Sequence, residues 1–195
     1  MLTHGQTMEH IAEGVIKHLT NLAEWHKMGA SGVFSPESRL ELINGEILEM
    51  SPTGSNHAGH LKRLIKVFSK LIPDNIIVSV QDPLQLNDVS EPEPDFMLLK
   101  PEPGFYSSRH PTADDVLLLI EIADSSLEYD RIQKQRLYAL HNIPEYWLLN
   151  LNDQCLEVYR QPHDESYAEK TTLRSGNQIV LTQLVNINIE MADIL

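Results

Sequence analysis

The sequence predicts a mixed α/β domain with a central sheet flanked by helices. Three observations predict it. The aliphatic run Val116 to Ala123 reads as a strand buried on both faces. Segments with helical spacing of apolar residues lie before and after it, at about His57 to Leu71 and Leu127 to His141. Asn44-Gly45 sits between two short apolar stretches, a strong signal for a tight hairpin turn.

The elements follow in order. From about Glu9 to Lys27, Ile11, Val15, Leu19 and Leu22 recur at helical spacing, and Gly29 and Gly32 end that helix. Arg39 to Ile43 and Glu46 to Met50 form the hairpin, and Ser51 to Asn56 is a loop. In the helix from His57, the residues Leu61, Leu64, Ile65, Phe68 and Leu71 share one face. Asn75 to Val80 is a strand, with Leu84 to Leu86 a candidate continuation past Pro83. Asp88 to Pro94 is a loop feeding the strand Asp95 to Leu99, and Lys100 to Asp114 is a proline-rich surface loop. After the aliphatic strand, Ser125-Ser126 caps the next helix and Asn142-Ile143-Pro144 stops it. Tyr146 to Leu151 and Cys155 to Arg160 are strands across a turn, with a late strand at Ala168 to Leu173. The tail, Ile179 to Leu195, alternates apolar residues and closes in a short helical turn.

Composition narrows the function classes. With 195 residues, 42% hydrophobic and 22% charged, the chain is long enough for one domain with a sizeable core. No apolar run reaches the roughly 18 residues of a membrane span. The first residues lack the basic and apolar regions of a signal peptide. The single cysteine, Cys155, excludes an intrachain disulfide and a Cys-rich zinc site, and a reducing cytoplasm is the expected setting. The net charge of −13 argues against broad, non-specific binding to nucleic acid or acidic membranes. It leaves room for a local basic groove. Lys62, Arg63, Lys66 and Lys70 form one basic cluster, and Arg131, Lys134 and Arg136 another; the plain reading of each is a solvated helix face.

Glu121 is a carboxylate inside the aliphatic run, and carboxylates are almost never fully buried unless paired. Asp95 opens the neighbouring apolar stretch. Two such acids on adjacent strands suit one hard divalent ion, Mg²⁺ or Mn²⁺. Lys134 on the following helix, with Asp130 and Tyr138 a turn to either side, would supply positive charge beside developing negative charge at phosphorus. The bland alternatives are a strand-initiating surface acid for Asp95 and a structural ion pair for Glu121. Nine scattered histidines do not predict a zinc site, since no acid completes a zinc-protease helix at His57 and His60. There is no Gly-rich phosphate loop, hence no nucleotide cofactor, and no Gly-x-Ser-x-Gly elbow.

Six short motifs stand in a particular order: Glu41 to Ile47, then Met50-Ser51-Pro52 with His57, Glu93-Pro94-Asp95, Leu119 to Ser126, Tyr129-Asp130 with Lys134 and Tyr138, and Ile143 to Trp147. In this the chain resembles the Uma2 (DUF820) family of restriction-endonuclease-like proteins, over about Arg39 to Arg160. The resemblance implies membership of the PD-(D/E)XK nuclease superfamily and a restriction-endonuclease-like mixed central sheet flanked by helices. It implies a single domain over residues 1–195, with the helix at about 9–27 and the tail at about 179–195 as family-variable additions. Pro94-Asp95 corresponds to the PD, and Glu121 to the acid of the second motif. The lysine expected two residues after that acid is Ala123 here, and the resemblance points to Lys134 as its replacement. Glu41 aligns with an additional acid that often binds metal or positions water; a polar-face hairpin residue is the alternative.

His57 could bind phosphate or shuttle a proton, or be a surface residue beside His60. Gln81 could position water, or be a strand-edge polar residue. The function expected is a Mg²⁺- or Mn²⁺-dependent endonuclease acting on DNA as a homodimer, with DNA entering between the two basic helices. Asp95 and Glu121 would bind the ion, Lys134 would stabilise charge, and Glu41 would assist. One alternative is a nuclease-fold protein that binds a partner without cutting. Another is a hydrolase of some other phosphoester.

Overall fold

The computed structural model describes residues 10–12, 15–35 and 37–195. Its first strands, β1 (His10–Ala12) and β2 (Val15–Ile16), pair antiparallel. The helix expected over 9–27 is instead α1 (Leu22–Ala30), and residues 9, 13 and 14 of that span lie outside the described residues. Asn21 explains the shift. Its side chain accepts from the Glu24 N–H at 3.0 Å while the Glu24 carboxylate accepts from the Asn21 N–H at 3.0 Å. Such a capping box fixes a helix start and is worth about 1 kcal/mol.

Strands β3 (Leu40–Ile43) and β4 (Glu46–Glu49) form the expected hairpin. Asn44 and Gly45 both take positive φ, 52° and 81°, as a two-residue turn of this kind requires. Glycine is needed at 45 for a second reason: a Cβ there would stand 2.6 Å from Leu19 Cβ. Helix α2 (Ser55–Leu71) buries Leu61, Leu64 and Phe68.

The central sheet comprises β5 (Ile77–Ser79), β6 (Phe96–Leu99), β7 (Val116–Ala123), β8 (Glu145–Asn150), β9 (Cys155–His163) and β10 (Ser166–Leu173), in spatial order 10-9-8-7-6-5. Only β7 and β8 pair parallel; the other neighbours are antiparallel. The segment Leu84 to Leu86 does not extend β5; Gln85 makes an isolated bridge to Thr112 instead.

A parallel pair needs a crossover connection. Here it is α3 (Leu127–Tyr129), a π-helical turn (Asp130–Lys134) and α4 (Gln135–Leu140). The crossover returns over the sheet, which brings its side chains back above the strand it leaves. Asn142 ends it at φ 58°, a left-handed conformation that asparagine tolerates well. The Ser125-Ser126 cap does not form as expected. Ser126 makes no cap hydrogen bond; its hydroxyl donates to Asp130 Oδ2 at 2.5 Å.

Alternation sorts the strand residues onto two cores. Phe96, Leu98, Leu118, Ile120 and Ile122 face α2 and the tail. Met97, Leu99, Leu119 and Ala123 face the crossover, with Tyr138 and Tyr146. Asp95 and Glu121 share the parity of this second set, so both acids fall on the crossover side of the sheet. The tail forms β11 (Gln178–Val180), β12 (Asn188–Glu190) and the short α5 (Met191–Ile194). Among the described residues, no helix is long and apolar enough to cross a membrane.

Candidate active site

The two acids meet through the antiparallel pairing of β6 and β7. Phe96 opposes Ile120, which brings Asp95 beside Glu121. The Asp95 N–H donates to Glu121 Oε2 at 3.3 Å, and the Ile122 N–H donates to Asp95 Oδ2 at 2.9 Å. Both residues are buried.

Lys134 arrives from the π-helical turn and is 2% exposed. Its Nζ donates to Glu121 Oε1 at 3.0 Å and to Glu41 Oε1 at 2.9 Å. Single π-helical turns inside helices concentrate at functional sites. Tyr138 donates its hydroxyl to Glu121 Oε1 at 2.6 Å. Glu41, on β3, also accepts from the Glu93 N–H at 3.0 Å. His57, near the start of α2, lies with Nε2 3.0 Å from Asp95 Oδ2. Gln81, held at φ 53°, donates its amide to Asp95 Oδ1 at 3.1 Å.

Thus hydrogen bonds link seven of the eight residues singled out in the sequence, Glu41, His57, Gln81, Asp95, Glu121, Lys134 and Tyr138, and the eighth, Asp130, is held by Ser126 within the field of Lys134. Asp130, packed beside Lys134, is 2% exposed. Most of these residues line a cleft of about 500 Å³, walled by β3, β4, the start of α2 and the crossover. Sequence reasoning assigned no role to Arg39, Glu93 and Tyr129, which also line it. Glu93 stands two residues before Asp95, on the same face of an extended segment, and that spacing was the available signal.

Four buried carboxylates (Glu41, Asp95, Glu121 and Asp130) surround one buried ammonium, so the site holds surplus negative charge. Burial pushes Glu121 up to about 8; Lys134 opposes the rise, while Asp95, Asp130 and Glu41 add to it. Burial likewise raises Asp130 to about 6 against Lys134 and the Ser126 hydroxyl. Burial works to raise Asp95 too, but the His57 contact, the Ile122 N–H and Lys134 outweigh it and hold the carboxyl below its usual range. Burial works to lower Lys134, yet Glu121, Glu41 and Asp130 outweigh it and hold the ammonium well above its usual value.

The donor set fits a hard divalent cation. Every candidate ligand from the acids is an oxygen, and buried Glu41 Oε2 and Asp130 Oδ1 have no hydrogen-bond donor. Asp95 and Glu121 are the pair on adjacent strands. Among the described residues, no third histidine or acid comes within mutual ligand distance of that pair. Water and substrate oxygens would complete the shell, as Mg²⁺ prefers.

The Uma2 family, described as "Putative restriction endonuclease", matches residues 22–193. The chain belongs to the Uma2 family. A solved structure of "a putative nuclease belonging to DUF820" from Anabaena variabilis ATCC 29413 superposes with a TM-score of 0.68 at 17% sequence identity. The match covers 89% of this Uma2 chain and 96% of that one. The fold is therefore the restriction-endonuclease-like mixed sheet expected from the sequence. No curated protein matches the chain.

In the second basic cluster only the two arginines reach the surface, and both are ion-paired. Lys134 is buried, Arg131 pairs with Glu157, and Arg136 pairs with Glu165 at 2.5 Å. On α2, Arg63 donates to the backbone carbonyl of Leu195, and Lys62, Lys66 and Lys70 are exposed. Tyr146 and Trp147 are core aromatics: Tyr146 stacks on Tyr159 at 5.4 Å, and the Trp147 indole donates to Glu145 at 2.8 Å.

Proposed function

We propose that this chain is a metal-dependent endonuclease-like phosphodiesterase acting on DNA. The observation that carries the reading is the Lys134 ammonium, 3.0 Å from Glu121 and 2.9 Å from Glu41 in a cleft that Asp95 also lines. This is a charge constellation for phosphoryl transfer, supplied from the crossover instead of from position 123.

Asp95 and Glu121 would hold Mg²⁺ or Mn²⁺, with Glu41 assisting. When bound, such an ion acts as a Lewis acid on a phosphoryl oxygen and lowers the pKa of water. Lys134 stays protonated, and two of its three N–H donors are engaged by Glu41 and Glu121, leaving the third for a phosphoryl oxygen. Tyr138 fixes Glu121 by donating to it, and Gln81 and His57 orient Asp95. His57 Nδ1 is buried without a partner, which leaves that nitrogen able to exchange a proton inside the cleft.

We further propose that DNA is guided by the exposed lysines of α2. A two-fold dimer would let each protomer cut one strand in a cytoplasmic setting. Plasmid cleavage with Mg²⁺ or Mn²⁺ tests the central reading. Wild type should cut, and Asp95→Ala, Glu121→Ala and Lys134→Ala should not. Equal cutting by all four would expose a contaminant, and no cutting by folded wild type would favour the non-cutting binding protein.

A further inference from the structure

A second candidate metal site lies on residues that the nuclease cluster does not use, from α1, the segment before β6 and the proline-rich loop before β7. Glu91 is 3% exposed, and its carboxylate faces His26, whose Nε2 lies 2.9 Å from Oε1 and 3.1 Å from Oε2. His110 adds a third ligand: one atom from each of His26, Glu91 and His110 lies within 4.8 Å of the other two. The two imidazole rings, one from α1 and one from the loop before β7, have centroids 6.1 Å apart.

We propose that His26, Glu91 and His110 bind a borderline transition-metal ion of the Zn²⁺ class. Metal–ligand bonds of about 2.0–2.1 Å at tetrahedral angles separate ligand atoms by roughly 3.3 Å. The His26–Glu91 distances, 2.9 and 3.1 Å, lie just below that value, and the 4.8 Å bound on the trio requires only side-chain adjustment. Two imidazoles and one carboxylate form a nitrogen-rich set, unlike the all-oxygen set around Glu121, so the two sites should select different ions. Both histidines are exposed, which leaves the fourth position to water.

The surroundings are those of a supported ligand. The Trp25 indole N–H donates to Glu91 Oε1 at 3.1 Å, fixing the carboxylate from behind. The Glu91 backbone is anchored to β3: its N–H donates to Leu42 O at 2.7 Å, and its carbonyl accepts from the Leu42 N–H at 3.4 Å. Glu91 is therefore rigid, and the two surface histidines close over it. An ion there would clasp α1 and the 100–115 loop to the sheet.

The test is Co²⁺ and Zn²⁺ binding to protein stripped with a chelator. Wild type should show the intense visible bands of tetrahedral Co²⁺, one ion per chain, displaced by Zn²⁺. His26→Ala and His110→Ala should each lose the bands while keeping the wild-type circular dichroism spectrum; without metal, His110→Ala should melt as wild type, and His26→Ala lower because it takes a partner from buried Glu91. Asp95→Ala should keep them. Trp25→Phe should weaken Zn²⁺ binding roughly 10- to 100-fold. Absence of the bands from wild type, or their persistence in both histidine variants, would overturn the proposal. Loss in Asp95→Ala alone would place the ion in the other cluster.

Discussion

Lys134 Nζ lies 3.0 Å from Glu121 Oε1, although the two residues sit on different elements and 13 positions apart. Ala123, two residues beyond Glu121 on the same face of β7, packs against the crossover with no exposure. The crossover thus brings an ammonium to the face of β7 on which residue 123 lies. Replacing Lys134 by methionine keeps the length and removes the charge. Glu121 and Glu41 would then be buried without their cation, at a cost of about 3–5 kcal/mol. Urea denaturation should show that loss as a lower midpoint. Plasmid cleavage should fall further than folding does, by roughly 100- to 1,000-fold among the folded molecules.

Glu121 gives a pH signature. Its folded value of about 8 lies above the 4.5 of the free acid. A raised carboxyl means that the native state binds more protons than the unfolded chain between these values. The stability contributed by Glu121 is therefore complete below about 4.5 and is lost as pH rises through about 8. A divalent ion requires the ionised acid, so stabilisation by Mg²⁺ or Mn²⁺ should grow across the same window. Thermal melts with chelator and with metal, run side by side, read both slopes. Glu121→Gln should flatten them, and an unchanged slope in that variant would assign the proton elsewhere.

Among the acids of the described residues, His57 contacts Asp95 alone, and Asp95 sits below its usual range partly through that contact. In His57→Ala the carboxyl should titrate higher, so cleavage should drop roughly 10- to 100-fold and its pH profile should move toward alkaline values. Melting at neutral pH should also fall, because buried Asp95 loses the contact that favours its ionised form, and the loss should fade as pH drops below the usual carboxylate range. A cleavage profile that fell without moving would mean that His57 acts on substrate and not through Asp95.

These residues differ in how far the sequence displayed them. Asp95 and Glu121 were legible because alternation along two neighbouring strands fixes the face of every second residue. Lys134 was legible through its spacing from Asp130 and Tyr138, which survives the π-helical turn. The contacts of His57 and Gln81 with Asp95 were not legible, because they span 38 and 14 positions and depend on where α2 and the β5 end come to rest. The N-terminal helix was misplaced because apolar spacing from Ile11 to Leu22 outweighed Asn21, the residue whose side chain sets the start. The trio His26, Glu91 and His110 was hidden for a similar reason: no local spacing brings residues that distant in sequence onto one point.

Arg131 and Arg136 were candidate DNA contacts, and their ion pairs lead to a different expectation. Burial works to raise Glu157, but hydrogen bonds from Arg131, Lys170 and Tyr159 outweigh it and hold the carboxyl down at about 2. The folded value lies below the free one of 4.5, so the stability from Glu157 is present above about 4.5 and is lost as pH falls through about 2. Arg131→Ala should therefore lower the melting temperature at neutral pH and lose that effect in strong acid. On DNA, Arg131→Ala and Arg136→Ala should leave affinity and its salt slope as in wild type. Lys62→Ala and Lys66→Ala should weaken binding across all sequences, each reducing the slope by about 1. Fluorescence anisotropy over a salt series separates these cases. A reduced slope in the arginine variants, with none in the lysine variants, would move the DNA path from α2 to the crossover.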